Sequence, residues 1–186
     1  MLSASLSGAV LILIDLQLAI DQPGWGERNN PNAETQIKRL LEHWRRMQWP
    51  VWHIRHCSTD PTSHYRPGQP AHAFKPEATP RENEPVIDKK RNSAFMGTRL
   101  EALLKAAHHE ILVVVGVKTN NSVESTVCMA GNLGFQTHLV ADACFTFNQT
   151  DWNGTPRSAD EVHAMSLANL DHEYCTVVTT ADVLGA

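Results

Sequence analysis

Apolar residues along the chain occur in two alternating patterns, as short continuous runs and as longer stretches with helical spacing. The short runs are rich in β-branched side chains, which is typical of strands buried on both faces of a parallel sheet. We predict strands over 9–14, 51–54, 86–88, 111–115, 137–140 and 175–178. The helical spacing predicts helices over about 34–48, 98–107, 123–133 and 158–170. This alternation predicts an α/β fold, in which helices cover both faces of a mostly parallel sheet.

Polar residues that precede the helical stretches mark where the helices begin. Asn32 and Ser158 are expected to cap two of them, and Thr98 with Glu101 fits a capping box at a third. Segment 57–85 is polar and rich in proline, and it has no predicted strand or helix. A long insert of this kind is usually functional.

The stretch from Glu110 to Gly134 combines a strand, a sharp turn and a helix N-terminus. Such a turn presents free backbone N–H groups and the positive end of a helix dipole to an anion or an oxyanion. Ser122 is the residue best placed on this turn to act as a nucleophile. The alternative interpretation is that Ser122 only caps the helix, since serine is a preferred cap.

Two further polar residues follow predicted strands. Asp15 comes directly after the first strand and Lys89 after the third. Ligands of parallel sheets bind beyond the carboxyl ends of the strands, where Asp15, Lys89 and Ser122 are expected to meet as a base, a cation and a nucleophile. The alternatives are that Asp15 caps a helix or turn and that Lys89 is a solvated surface lysine. Residue type alone does not distinguish Lys89 from Lys90 or Arg91 as the cation of the site.

Composition narrows the classes of function without selecting one. The chain has 186 residues, with 16 Lys and Arg against 20 Asp and Glu and a formal net charge of -4. We expect one domain over residues 1–186, no nucleic-acid partner and no membrane partner. The four cysteines form no CxxC pair, and Asp15 interrupts the N-terminal apolar run, so we expect no signal peptide and a cytoplasmic protein.

Three segments together resemble the isochorismatase-like cysteine hydrolase family, and the resemblance covers nearly the whole chain. The segments are LILIDLQ, VIDKKRNSAFMGTRLEALL and GVKTNNSVESTVCMAGNLGFQTHLVADA. The family lysine precedes a Ser-Ala-Phe element by a fixed offset, which selects Lys89 over Lys90. The resemblance implies a three-layer α/β/α sandwich with a six-stranded, mostly parallel sheet, and a homo-oligomer such as a dimer or tetramer.

The resemblance also implies a site, with one departure from the family. Asp15, Lys89 and Ser122 fall at the catalytic positions, but Ser122 stands where the family has its nucleophilic cysteine. Backbone N–H groups of Lys118 and Ser122 are implied as the oxyanion hole, together with a cis peptide at Val117–Lys118. We expect the pocket for a small-molecule substrate to include Gln17, His53, Phe95, Thr119, Phe145 and Trp152.

Together these expectations predict that the protein is a hydrolase that cleaves an amide or related bond in a small molecule. The alternative is a catalytically silent relative that binds a ligand or serves in an assembly, because a hydroxyl is a far weaker acid than a thiol. A nucleotide-binding domain has no GxGxxG or Walker loop to support it. His53, His56, Asp60 and His64 suggest a metal site, but residues three apart on a strand point to opposite faces, so we expect no metal and no cofactor.

Overall fold

Five successive apolar residues, Val10–Ile14, form a central strand of a six-stranded sheet and are buried on both of its faces. The structure is a computed structural model that describes residues 6–185. The strands are β1 Val10–Ile14, β2 Val51–His56, β3 Val86–Lys89, β4 Ile111–Val117, β5 Gln136–Phe145, β6 Gln149–Thr150, β7 Pro156–Arg157 and β8 Thr176–Val178. The helices are α1 Ala33–Met47, α2 Leu100–Ala106, α3 Glu124–Asn132, α4 Ala159–Leu170 and α5 Thr180–Leu184.

Alternate residues of each central strand face opposite layers of helices. In β1, Leu11 and Leu13 join one core cluster, which includes Trp44 of α1. Ile12 joins the other cluster, which includes Leu104 of α2. Full burial of such a side chain contributes roughly 2 kcal/mol, as an upper estimate. The molecule is therefore the predicted three-layer α/β/α sandwich, and all neighbouring strands of its main sheet pair in parallel.

The strand order places the carboxyl ends of β1 and β4 at the point where the chain reverses its direction across the sheet. The order is β3-β2-β1-β4-β5-β8, so the chain moves outward from β1 to β3 and then returns to the other side of β1. A crevice opens at such a switch point, because the connections from the two strands leave in opposite directions. Asp15 follows β1 at this crevice, and Lys118 follows β4.

The backbone is shaped at this crevice by two residues with positive φ. Gly116 lies opposite Ile14 with φ of 130°, and a Cβ there would lie 2.2 Å from the Ile14 carbonyl oxygen. Glycine is therefore required for β4 to pass the end of β1. Asp15 has φ of 52°, a left-handed conformation that aspartate tolerates better than most residues. This turn of the backbone ends β1 directly at the aspartate.

Several boundaries differ from the sequence prediction. β5 continues to Phe145 instead of ending near Val140, because its later residues pair with Gly116 and Val117 of β4 after a register shift. The predicted capping box of α2 is wrong: Arg99 precedes the helix, and the side chain of Thr98 bonds locally to Leu100 N–H and the Ala94 carbonyl.

Other elements depend on contacts that periodicity does not reveal. The β6–β7 hairpin and α5 were not predicted. Segment 57–85 is also more ordered than predicted, since it contains two short 3-10 turns and buries Tyr65 and Lys75. The Ser158 capping box is present as a full reciprocal pair with Glu161. No helix in the described part of the chain has the length and apolar character that a bilayer crossing requires.

Candidate active site

A buried ion pair joins the ends of β1 and β3. Lys89 Nζ lies 2.7 Å from Asp15 Oδ2, and the two residues are only 1% and 4% exposed. A charge removed from water to this degree needs a partner, because an isolated buried ion is strongly disfavoured. The surface interpretation of Lys89 is therefore wrong. The capping interpretation of Asp15 is also wrong, since its carboxylate accepts no hydrogen bond from a backbone N–H of residues 6–185.

The Lys89 ammonium connects this ion pair to Ser122. Nζ lies 3.1 Å from Ser122 Oγ, 3.1 Å from His56 Nδ1 and 3.1 Å from the Arg91 carbonyl oxygen. An ammonium has three hydrogens, so these groups and Asp15 compete for them. The ammonium therefore lies within hydrogen-bond distance of both the Asp15 carboxylate and the Ser122 hydroxyl.

Ser122 lies inside a single π-helical turn, Thr119–Val123, that precedes α3. Its side chain accepts a hydrogen bond from Lys89, and Val123 is the residue that directly precedes α3. The interpretation of Ser122 as a simple helix cap is therefore wrong. Ser122 is 7% exposed, and its hydroxyl faces the other two polar residues instead of the helix backbone.

Two buried acceptor atoms beside Ser122 have no hydrogen-bond partner among the described residues. They are Oδ1 of Asp15 and Oδ1 of Asn121. Buried polar atoms are nearly always hydrogen-bonded, so an unpaired pair of acceptors indicates a place where water or a ligand binds. Asp15 Oδ1 is in addition the atom available to accept a proton.

A small cavity of about 160 Å³ lies over these groups. Its walls include Asp15, Trp25, His56, Tyr65, Lys118 and Ser122. This volume corresponds to only about five water molecules, so the cavity suits a small metabolite. A larger groove of about 760 Å³ lies between α4 and the β6–β7 hairpin, but it contains no member of the Asp15, Lys89 and Ser122 cluster.

Two titratable side chains of the cavity wall, His56 and Tyr65, are kept neutral by burial and neighbouring charge. Desolvation, and then the charge of Lys89, lower the pKa of His56, so its imidazole is neutral at pH 7. Desolvation likewise raises the pKa of Tyr65, whose hydroxyl donates to the Asp15 carbonyl oxygen over 3.3 Å. Neither group competes with Lys89 for the negative charge of Asp15.

The turn that carries Ser122 is held from behind by α4. The Val117–Lys118 peptide bond is cis, as the family resemblance implied. Thr119 Oγ1 lies 2.9 Å from Nδ1 of His163, which is a buried residue of α4. This contact places Thr119 in the support of the turn and away from the cavity.

The other polar residues predicted to line the pocket also have different positions. Gln17 is fully buried, and its side chain bonds to both backbone groups of His56 and to the His72 carbonyl. Nε2 of His53 lies 2.9 Å from Glu84 Oε2, and the His53 and Phe74 rings meet in a T-shaped contact with centroids 5.7 Å apart. Gln17, His53 and Thr119 are therefore corrected from cavity walls to buried supports.

The predicted aromatic walls require a similar correction. Phe95 stacks on Phe135 in the core, with ring centroids 5.7 Å apart. Phe145 lies beneath the Arg28 guanidinium and is fully buried, whereas Trp152 is 96% exposed. None of the three borders the cavity, and for Phe145 the reason is that β5 extends farther than predicted and carries this residue into the core.

The cavity walls also include His56, Tyr65 and the side chain of Lys118, which the sequence pattern did not assign to the pocket. A signal existed for His56, because it lies opposite Lys89 in the register of β2 and β3. Trp25 lies in loop 21–33 and Tyr65 in segment 57–85, and both side chains border the cavity. Nothing in the spacing identifies which residue of such a loop turns inward.

None of the four cysteines offers an acidic thiol in place of Ser122. All are free, and burial raises the pKa of Cys144 and of Cys175 to about 12. Desolvation also raises the pKa of Cys57 and Cys128. Across residues 6–185, no group of three or more His, Cys, Asp or Glu is arranged to hold a metal ion.

The fold and this cluster define a class of protein, an α/β sandwich with an acid, a lysine and a hydroxyl at the switch point of its sheet. The model of the Isochorismatase domain matches residues 9–182. The chain belongs to the isochorismatase family.

Relatives cover nearly the whole chain. The uncharacterized isochorismatase family protein YrdC of Bacillus subtilis is 41% identical, over 94% of this chain and 93% of its own length. A solved structure of an isochorismatase-family protein from Chromobacterium violaceum is 60% identical with a TM-score of 0.94, covering 97% of this chain and 93% of the other. Nicotinamidase 3 of Arabidopsis thaliana is 26% identical over 91% of this chain and 84% of its own.

Proposed function

We propose that this protein hydrolyses an amide, or a related ester bond, in a small molecule, with Ser122 as the nucleophile. One observation carries the proposal: the Lys89 ammonium contacts both Asp15 Oδ2 and Ser122 Oγ beside a small cavity. The lysine thereby brings together a base, a cation and a hydroxyl, which are the groups that nucleophilic acyl transfer requires.

The first half of the reaction uses the free oxygen of Asp15. Asp15 Oδ1 takes the proton of the Ser122 hydroxyl as Oγ bonds to the substrate carbonyl carbon. The tetrahedral adduct then breaks its C–N bond, and Asp15 returns the proton to the departing amine. An ester on Ser122 remains, and the released product is an amine or ammonia.

The second half repeats the sequence with water. Water gives a proton to Asp15 as it attacks the ester carbonyl, and the carboxylic acid leaves when Ser122 Oγ recovers that proton. Lys89 stabilises the negative charge on Asp15 and on the developing alkoxide, and the backbone N–H groups of Lys118 and Ser122 stabilise the oxyanion. A serine depends on this base more than a cysteine does, since its hydroxyl is not ionised at neutral pH.

Family membership supports hydrolysis, and the relative named Nicotinamidase 3 supports a C–N bond as the target. The test is turnover of a panel of small amides and esters by the wild-type protein and by Ser122→Ala and Asp15→Asn. We expect turnover of at least one compound that both substitutions abolish. Turnover that persists in Ser122→Ala would remove the serine from its proposed role.

The second candidate function is ligand binding without turnover, and the serine at the nucleophile position favours it. Ser122→Cys separates the two candidates. In an intact site the new thiol reacts rapidly with an alkylating agent at neutral pH, and Lys89→Ala slows that reaction, because the neighbouring ammonium favours the thiolate. A sluggish thiol, together with a silent wild-type protein, would favour binding alone.

We also propose that the chain forms a homodimer or homotetramer in the cytoplasm. The family resemblance supports the assembly, and four free cysteines support a reducing compartment. Size-exclusion chromatography with light scattering tests the assembly, and a monomer at micromolar concentration would contradict it.

A further inference from the structure

Lys118 differs from the other lysines that the fold buries at least in part. Lys75 and Lys89 each contact a carboxylate within 2.7 Å. Lys118 is half-buried, yet no carboxylate of residues 6–185 lies within 4.0 Å of its ammonium. An ammonium that is partly removed from water without a counter-charge gains free energy when an anion binds beside it.

The ammonium of Lys118 is held at the cavity by an aromatic ring. Its Nζ lies 5.2 Å from the centre of the Trp25 ring, within the range of a cation–π interaction, and both residues line the cavity. Trp25 is itself fixed, because its indole N–H donates to the Ala19 carbonyl over 2.9 Å and its ring stacks on Phe147. This contact orients the ammonium without neutralising its charge.

The charges around the cavity leave a surplus of one positive charge. Asp15 and Lys89 compensate each other as a close ion pair, and His56 is neutral at pH 7. Lys118 is therefore the uncompensated charge beside Ser122 in the described part of the chain. In a partly desolvated site, an ammonium and an anion a few ångströms apart attract each other several times more strongly than in bulk water.

We propose that the side chain of Lys118 determines substrate specificity by binding an anionic group, such as a carboxylate, on the small molecule whose amide or ester is cleaved at Ser122. This assignment deepens the proposed hydrolysis and rests on it for the position of the substrate. Lys118 thus has two separate roles in this proposal. Its backbone N–H binds the oxyanion, and its side chain binds the anionic group. The unpaired Asn121 Oδ1 supplies an acceptor for an N–H group of the same ligand.

The test uses two reagents of nearly equal size, iodoacetate and iodoacetamide, which differ in charge. Both alkylate a thiol by displacement of iodide from the same carbon, so the ratio of their rate constants cancels the fraction of thiolate. The ratio is measured in a Ser122→Cys background by mass spectrometry of the peptide that contains position 122. The other four cysteines serve as internal references in the same digest.

Lys118→Met is the decisive second substitution, because it keeps an unbranched side chain and removes the charge. We expect it to lower the ratio of iodoacetate to iodoacetamide rate constants about fivefold to tenfold, which corresponds to roughly 1 kcal/mol of attraction. Lys118→Arg should preserve most of the ratio. Lys105→Met is the matched control, since Lys105 is exposed and paired with Glu101, and it should leave the ratio unchanged.

An unchanged ratio in Lys118→Met would overturn the assignment. A thiol at position 122 that reacts with neither reagent would also overturn it, because the cavity then admits no ligand of this size. The measurement needs no substrate turnover, so it is independent of the hydrolysis assay. If the wild-type protein hydrolyses no compound but the ratio depends on Lys118, the hydrolysis proposal fails while the anion site stands.

Discussion

The protein contains two buried clusters of similar composition, each with a carboxylate, a cation and a histidine, and they differ in how completely the carboxylate is paired. In the first cluster, Glu84 Oε1 accepts from Arg45 Nε over 2.7 Å. Its Oε2 accepts from Arg45 Nη2, from the Arg81 N–H and from His53, all within 2.9 Å. Both oxygens are satisfied, and the cluster fastens α1 to the entry of β3.

The second cluster is incomplete. Asp15 Oδ2 accepts from Lys89, but Oδ1 is buried and has no partner within residues 6–185. The neighbouring hydroxyl is that of Ser122, and the cavity lies beside both residues. A buried acceptor that neither water nor a ligand met would cost about 1–3 kcal/mol, so this oxygen is a binding position for one of them. A carboxylate whose two oxygens are both hydrogen-bonded supports structure, whereas one with an oxygen left open beside a cavity is available for chemistry.

The largest difference between the clusters is expected in activity. Asp15→Asn should lower kcat/KM at least about 10³-fold on any compound that the wild-type protein hydrolyses, because the amide cannot accept the Ser122 proton. Glu84→Gln should change kcat/KM less than about threefold on the folded protein. Steady-state kinetics, with circular dichroism to confirm folding, measure both. Equal losses would remove the functional distinction between the clusters.

Stability should show the opposite preference. Glu84→Gln leaves Arg45 without its counter-charge and should lower the free energy of unfolding by about 3 kcal/mol. Glu82→Gln is the matched control, because Glu82 is exposed two residues away, and its effect should stay within about 0.5 kcal/mol. Urea denaturation measures both. A loss below about 1 kcal/mol for Glu84→Gln would mean that the cluster contributes little to the fold.

The pH dependence of stability should report the same cluster. Burial raises the pKa of Glu84, but hydrogen bonds from Arg45, the Arg81 N–H and His53 outweigh it and lower that pKa from 4.5 to about 2. Because the pKa is lower in the folded protein, this stabilisation is complete above about pH 4.5 and disappears as the pH falls towards 2. After allowance for solvent screening we expect a loss of about 2 kcal/mol across that range. Glu84→Gln should lack this component of the acid slope, and an unchanged slope would contradict the pairing.

The smallest effect is expected from substitution of His53, because this change removes only one of the three donors to Glu84 Oε2. His53→Leu should cost about 1 kcal/mol of stability, since the other two donors remain. Its kcat/KM should stay within about twofold of wild type, because His53 belongs to the Glu84 cluster and does not line the cavity. A tenfold fall in kcat/KM without a change in KM would return His53 to the site.

The sequence predicts the first cluster poorly and the second well, for a physical reason. Asp15 directly follows β1, Lys89 is the last residue of β3 and Ser122 lies on the turn after β4, and parallel strands bring their carboxyl ends together. Glu84 and Arg45 lie in a loop and on a helix face, where spacing gives no information about partners. The inward turn of Trp25 and Tyr65 is likewise determined by tertiary packing.

The length of β5 is a second feature that local sequence pattern does not determine. The apolar run near Val140 predicted a strand, but its continuation through Asp142 to Phe145 depends on pairing with β4 after a register shift. Local pattern therefore located every strand of the main sheet and the ends that matter for Asp15 and Lys89. It could not locate the aromatic side chains that the longer strand buries.

In the proposed reaction, Ser122 attacks a carbonyl carbon while Asp15 Oδ1 takes its proton. Intact-mass spectrometry after brief exposure to p-nitrophenyl acetate at neutral pH, followed by peptide mapping, detects the acyl group that this attack leaves on the serine. We predict one acetyl group on the wild-type protein, located on Ser122, and none on this residue in Asp15→Asn. Acetylation that never reaches Ser122, or that reaches it equally in Asp15→Asn, would contradict the claim.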